Sequence, residues 1–151
     1  MDAKVINITQ AEKLAELTCE LARLCQEKDS HFASSFNLSP AEVKILKILK
    51  KHDRISVGDV SKYSSLTYGR ITQIITNLEK KGLIVRSSDS PDKRSVTISI
   101  SKRNIPFVEN VTNACVNLHS RIIETMDESK VEKIISSLDE LMSAMRTVNS
   151  E

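Results

Sequence analysis

The chain has 151 residues, 40% of them hydrophobic and 28% charged, with a formal net charge of +2. That length supports one globular domain with a modest core. Three glycines and three prolines are too few for the turn-rich chain of an all-β sandwich or barrel, and 3% aromatics without Trp make the core aliphatic.

The N-terminal stretch "MDAKVINITQAEK" has no apolar run of signal-peptide kind, and no later stretch approaches a membrane span. A cytoplasmic protein without a membrane partner is expected. Cys19, Cys25 and Cys115 form no CxxC pair and are odd in number, which fits free thiols in a reducing compartment. Thr9-Gln10-Ala11-Glu12 has the pattern of a capping box and predicts the start of the first helix. Leu14, Leu17, Leu21 and Leu24 then follow at steps of three, four and three, one apolar seam. The helix is predicted to end near Lys28 to Ser30. Cys25 lies beside the seam and is expected to pack with it. Cys19 points away and is the candidate redox thiol, although its neighbours Thr18 and Glu20 do not activate a thiol.

Ser39-Pro40-Ala41-Glu42 predicts a second helix, with Ser as cap, Pro at the first helical position and Glu closing the box. Val43, Ile45, Leu46, Ile48 and Leu49 cover more than one face, so this helix should be central. A third, short helix is predicted from Ser56-Val57-Gly58-Asp59, with Val60 and Tyr63 facing inward. The turn Ser64-Ser65-Leu66 leads to Thr67, the expected cap of a fourth helix. There Ile71, Ile74, Ile75 and Leu78 fall at i, i+3, i+4 and i+7. The opposite face carries Gly69, Gln73, Thr76 and Lys80, flanked by Arg70, Thr72 and Asn77. Gly82 supplies the stop. Two short helices joined by a tight turn form a helix-turn-helix pattern. Arg, Asn, Gln and Thr on one helix face are the side chains that read base edges in a major groove.

Leu83-Ile84-Val85-Arg86 is a strand-like run, Asp89-Ser90-Pro91-Asp92 is turn chemistry, and Ser95 to Ser101 alternates with period two. Val96, Ile98 and Ile100 should anchor this ribbon, leaving its serine and threonine face solvated. A helix-turn-helix followed at once by a β-hairpin is a winged helix, and an Arg such as Arg94 at the tip suits a narrow minor groove.

Val108, Val111, Cys115, Leu118 and Ile122 step three, four, three, four. Asp127 is the expected cap of a last helix carrying Val131, Ile134, Ile135, Leu138, Leu141, Met142 and Met145. Three apolar stripes exceed what a chain this small can bury alone, and a two-fold dimer is the natural outlet. Charge follows the same division. From Lys44 to Arg103, fourteen basic side chains stand against five acidic ones, a surplus of nine that leaves the rest of the chain at −7. A basic middle between acidic ends suggests a polyanion-binding centre.

Ser39-Pro-Ala-Glu42, the helix pair around Val60 and Thr67, "NLEKKGLIVRS" (Asn77 to Ser87) and "DSPDKRSVTISIS" (Asp89 to Ser101) resemble the MarR family of transcription regulators, most strongly in "LEKKGLI" and the Asp-x-Arg tip at Asp92 and Arg94. The resemblance implies a mainly α fold with a small β-hairpin. Residues 37–102 would form the winged helix-turn-helix DNA-binding domain, and residues 1–36 and 103–151 a helical dimerisation domain. It implies a homodimer on double-stranded DNA at a two-fold symmetric operator, in many relatives a repressor of efflux, detoxification or stress genes. The fourth helix, with Thr67, Tyr68, Gly69, Arg70, Thr72, Gln73, Thr76, Asn77 and Lys80, would be the recognition helix. Asp92, Lys93 and Arg94 would form the wing contact, Asp92 orienting Arg94. It also implies release by a small anionic or phenolic ligand, or by an oxidant, acting between the domains; the sequence does not identify such an effector. The family commonly has Gly at the position of Asn104, where Asn tolerates a left-handed backbone. Gly69 either permits close approach to the DNA backbone or frays the first turn of its helix.

Other classes fit less well. No phosphate loop, nucleophile motif or metal-ligand cluster is present, so neither an enzyme nor a resident cofactor is expected. His31, His52 and His119 are scattered, and no metal site is assigned. A winged-helix protein-interaction module that never touches DNA, or a redox- or metal-sensing regulator, stays open as an alternative.

Overall fold

The computed structural model describes residues 8–88 and 96–151. In chain order it runs α1 (Ile8–Ser34), α2 (Pro40–Lys51), β1 (Ile55–Ser56), α3 (Val57–Ser64), α4 (Tyr68–Lys80), β2 (Ile84–Ser87), β3 (Thr97–Ile100), a 3₁₀ turn (Lys102–Asn104), α5 (Ile105–Glu124) and α6 (Glu128–Asn149). The chain divides into two compact units, Met1–Val111 and Thr112–Glu151.

In the first unit α2 is central, as its sequence predicts. It touches α1, α3, α4 and β3. Val43, Ile45, Leu46 and Leu49 are buried. Its capping box is complete: the Glu42 amide donates to Ser39 Oγ at 3.2 Å, and the Ser39 amide donates to Glu42 Oε2 at 2.8 Å. Two orphan amides of the first turn are thereby satisfied, and Pro40 at the first position lacks an amide to satisfy.

The first helix departs from expectation at both ends. It is already helical at Ile8, so Thr9 lies inside it rather than at its cap, and it continues to Ser34. The extra turn is held by packing rather than by propensity. Ala33 is fully buried, and Phe32 and Phe36 pack on the core. Their rings lie 5.3 Å apart, and Phe36 meets Phe107 edge-on at 6.1 Å, so all three phenylalanines of the chain join in one contact. Asn37, at φ 55°, turns the chain into α2.

Ser56 caps α3, accepting the Asp59 amide at 3.1 Å and donating to Asp59 Oδ2 at 2.8 Å. This hydroxyl, and then Lys62, hold the Asp59 carboxyl below its ordinary pKa. Val60 packs inward as expected, but Tyr63 does not: it is 57% exposed and stacks on His52 with ring centroids 4.8 Å apart. The inward face of this eight-residue helix is taken by Val60 and, one turn on, Ser64, both fully buried. Ser65 takes a left-handed conformation (φ 57°) to make the tight turn, and Thr67 caps α4 by accepting the Arg70 amide at 3.3 Å.

The sheet holds a strand that the sequence does not announce. β1 pairs antiparallel with β3 through Ile55 and Ile98, so the order is β1-β3-β2. Two residues are too few to show a period. β2 and β3 pair from Ile84 opposite Ile100 to Ser87 opposite Thr97. Ile98 is fully buried. The polar face of the ribbon is not simply solvated: Thr97 and Ser99 are half-buried and Ser101 is buried. Asn104 also departs from expectation. It belongs to a right-handed 3₁₀ turn and is not among the residues with positive φ; its side chain donates to the Gly82 carbonyl at 2.6 Å. Beyond it, Val108 and Val111 of α5 complete the core.

The second unit holds the rest of α5 and α6. Asp127 caps α6 as expected, accepting from the Ser129 amide at 3.0 Å and hydroxyl at 2.7 Å. Within this single chain α6 buries none of its residues, and Ile135, Leu138, Met142 and Met145 are all exposed. The α1 seam of Leu14, Leu17, Leu21 and Leu24 is likewise exposed. So is Cys25, contrary to its expected packing; with the seam itself uncovered there is nothing for the thiol to pack under. Cys19 is exposed as well.

Candidate nucleic-acid interface

The candidate interface is built around α4. Ile71, Ile74, Ile75 and Leu78 are each at most 2% exposed. Burying such a side chain contributes about 1.5–3 kcal/mol, which fixes which face of α4 is turned inward. The helix stops at Gly82, whose φ of +73° is costly for any residue with a Cβ. Its C-terminal end is tied down by Lys81. The Lys81 ammonium lies 2.8 Å from the buried carboxylate of Glu42 and donates to the Asn37 carbonyl at 2.9 Å.

The outward face has two kinds of polar residue. Tyr68, Gly69, Arg70, Gln73, Asn77 and Lys80 are exposed. Arg70 Nη1 donates to Gln73 Oε1 at 2.9 Å, so these two present a joined donor and acceptor surface. Thr72 and Thr76 are half-buried, and each donates its hydroxyl to a carbonyl one turn back, Tyr68 and Thr72 respectively. Thr76 also accepts from Arg86 Nη2 at 3.0 Å. Thr67 is engaged as the cap. A Cβ placed on Gly69 would meet nothing within 4 Å, so the first turn of α4 is open on that side.

Arg86 of β2 couples the ribbon to this helix. Besides Thr76 it reaches Glu79 Oε2 at 2.8 Å. On the other side of the sheet Arg54, just ahead of β1, donates from Nε to Thr97 Oγ1 at 2.7 Å and from Nη2 to Ser87 Oγ. The base of the ribbon is thus held by one arginine on each face. Asp92, Lys93 and Arg94 lie outside the described residues. Neither Arg54 nor the Glu42–Lys81 pair stands out in sequence as part of this site. Their partners are 33 to 43 residues away, and no periodic pattern marks them.

A helix-turn-helix whose second helix projects a polar face, followed at once by a β-ribbon locked onto that helix, defines a winged helix-turn-helix protein. Residues 38–96 match the MarR family model, that of a family of helix-turn-helix transcription regulators. It is 30% identical over 91 residues to the uncharacterized HTH-type transcriptional regulator YcgE of Bacillus subtilis, a match covering 55% of this chain and 59% of that protein, under two-thirds of the relative's length. It is 26% identical over 129 residues to the HTH-type transcriptional regulator PapX of Escherichia coli, covering 82% of this chain and 77% of that protein. Among solved structures, the S. aureus MepR–DNA complex shares the fold, with a TM-score of 0.74 at 22% identity over 87% of this chain and 97% of that one. No described helix is long and apolar enough to cross a membrane.

Proposed function

We propose that this chain is a cytoplasmic, sequence-specific double-stranded DNA-binding regulator. It acts as a homodimeric repressor on a pseudo-palindromic operator, with half-sites about one helical turn apart. The observation that carries the reading is the face of α4, where Arg70, Gln73, Asn77 and Lys80 stand exposed opposite four buried aliphatic side chains. This helix enters the major groove, and the wing residues Asp92, Lys93 and Arg94 bring charge to the adjacent minor groove. Residues 37–102 form the DNA-binding domain. Residues 1–36 and 103–151 pair with a second copy, which covers the leucine seam of α1 and the stripe of α6. A small anionic or phenolic effector, or oxidation at Cys19, releases the DNA.

The test is selection of bound duplexes from a random pool with the intact chain, followed by footprinting and a salt series. The reading expects a two-fold symmetric footprint and an affinity that falls steeply with salt. Repeating the selection with aromatic acids and with an oxidant identifies the signal. A single unpaired site, or no enrichment over the input pool, would overturn it.

A further inference from the structure

Two hydrogen bonds of Arg54 meet at the end of the ribbon. Ser87 is the last residue of β2 and Thr97 the first of β3, and they are the final register pair before the stretch that contains Lys93 and Arg94. Opposed residues of an antiparallel pair share a face, and i, i+2 residues share it too. Ser56 opposes Thr97, so Arg54, two residues before Ser56, lies on the face of Thr97 and Ser87 and reaches both diagonally. Its Nε donates to Thr97 Oγ1 at 2.7 Å and its Nη2 to Ser87 Oγ. The two hydroxyl oxygens lie 3.1 Å apart, and Thr97 Oγ1 also donates to the Ser87 carbonyl at 3.2 Å. A planar guanidinium with donors in a fixed fork holds such a pair of acceptors at a set spacing, which a lysine ammonium does not do. Arg86 secures β2 to α4 from the opposite face, whereas Arg54 reaches across both strand ends and fastens the direct Ser87–Thr97 contacts from outside the ribbon.

We infer that Arg54 is a positioning residue for the wing: it clamps the neck of the ribbon and so sets where Arg94 meets DNA. The inference rests on the reading of the ribbon as a DNA-contacting wing. Arg54 acts through the wing residues, not by touching DNA.

The experiment measures affinity of the full-length chain for a duplex enriched from a random pool, using Arg54→Ala, Arg54→Lys, Thr97→Val, Arg94→Ala and the double variant Arg54→Ala/Arg94→Ala. Thermal melting of each confirms folding, and Thr97→Val, which removes only the hydroxyl from a strand position, keeps the question open should Arg54→Ala fold poorly. Arg54→Ala is expected to weaken binding about tenfold, the size of one or two lost hydrogen bonds. Arg54→Lys and Thr97→Val should lose affinity in the same direction, and the double variant should bind no more weakly than Arg94→Ala alone. Wild-type affinity in Arg54→Ala, or full rescue by Lys, overturns the clamp. Additive losses in the double variant also overturn it, because they place Arg54 in its own contact with DNA. An Arg94→Ala protein with unchanged affinity instead overturns the reading of the wing, and with it the inference.

Discussion

The Lys81 ammonium sits 2.8 Å from the Glu42 carboxylate, whose side chain is only 5% exposed. Glu42 therefore serves two ends at once, closing the capping box of α2 through the Ser39 amide and anchoring the C-terminal cap of α4. A buried carboxylate left without its cation costs more than the pair contributes. Lys81 is itself partly exposed, so the Lys81→Met variant should lose about 1–2 kcal/mol, less than a fully buried pair would. Urea unfolding measures this, and replacing both partners, Glu42→Leu with Lys81→Met, should recover part of the loss. A double variant as unstable as the two single losses summed would show that Glu42 stabilises mainly through its cap.

Arg70 and Gln73 are hydrogen-bonded to each other at 2.9 Å, so their effects on sequence preference should be coupled. Gln73→Ala and Arg70→Ala should each shift the selected bases at defined positions by about 1–3 kcal/mol, with the shifted positions overlapping. Arg94→Ala should lower affinity with little change of profile. Three identical selection profiles would refute this division of roles.

The stripe of α6 is uncovered in the single chain, so a charge placed there leaves the fold of one chain intact. Leu138→Asp should convert a dimer to a folded monomer, because an unpaired charge in an apolar interface is strongly unfavourable. Sedimentation reads the mass and circular dichroism the helix content. A Leu138→Asp protein that remains a dimer would remove α6 from the interface.

The hydroxyl of Ser129, and then its amide, donate to the Asp127 carboxylate and hold its pKa below the ordinary value. A folded-state pKa below the unfolded one contributes stability at pH above the unfolded pKa and loses it as pH falls through the folded one. The cap of α6 should therefore weaken on acidification through and below the usual carboxylate range. Asp127→Asn keeps an acceptor at the cap but does not titrate, so its acid titration by far-UV dichroism should be flatter than that of the wild type. Superimposable titrations would contradict this role.

What could be read along the sequence was local. Ser39, Ser56, Thr67 and Asp127 all cap the helices their patterns predict, because a cap bonds within three residues of itself. The i, i+3, i+4, i+7 spacing of α4 identified all four of its buried side chains. The misses lie where a distant partner decides. Tyr63 faces out and stacks on His52, and α1 runs on to Ser34, where Phe32 packs on Phe36 and Phe36 on Phe107, more than seventy residues later in the chain. β1 exists only as a partner for β3. In the candidate interface, the exposed row of α4 follows from its period, whereas the arginines that hold the ribbon bond across seven to forty-three residues.

The root of the ribbon is sealed twice. The Ser101 amide donates to the Leu83 carbonyl at 2.9 Å, and Asn104 reaches across to the carbonyl of Gly82. The chain thus leaves α4 and arrives at α5 through a closed gate, and the segment between is an excursion with both ends tied to one point. Such an excursion behaves as an exchangeable cassette. Its outer part can change length or composition while the gate holds the two helices in place, so this arm can evolve apart from the helix beside it.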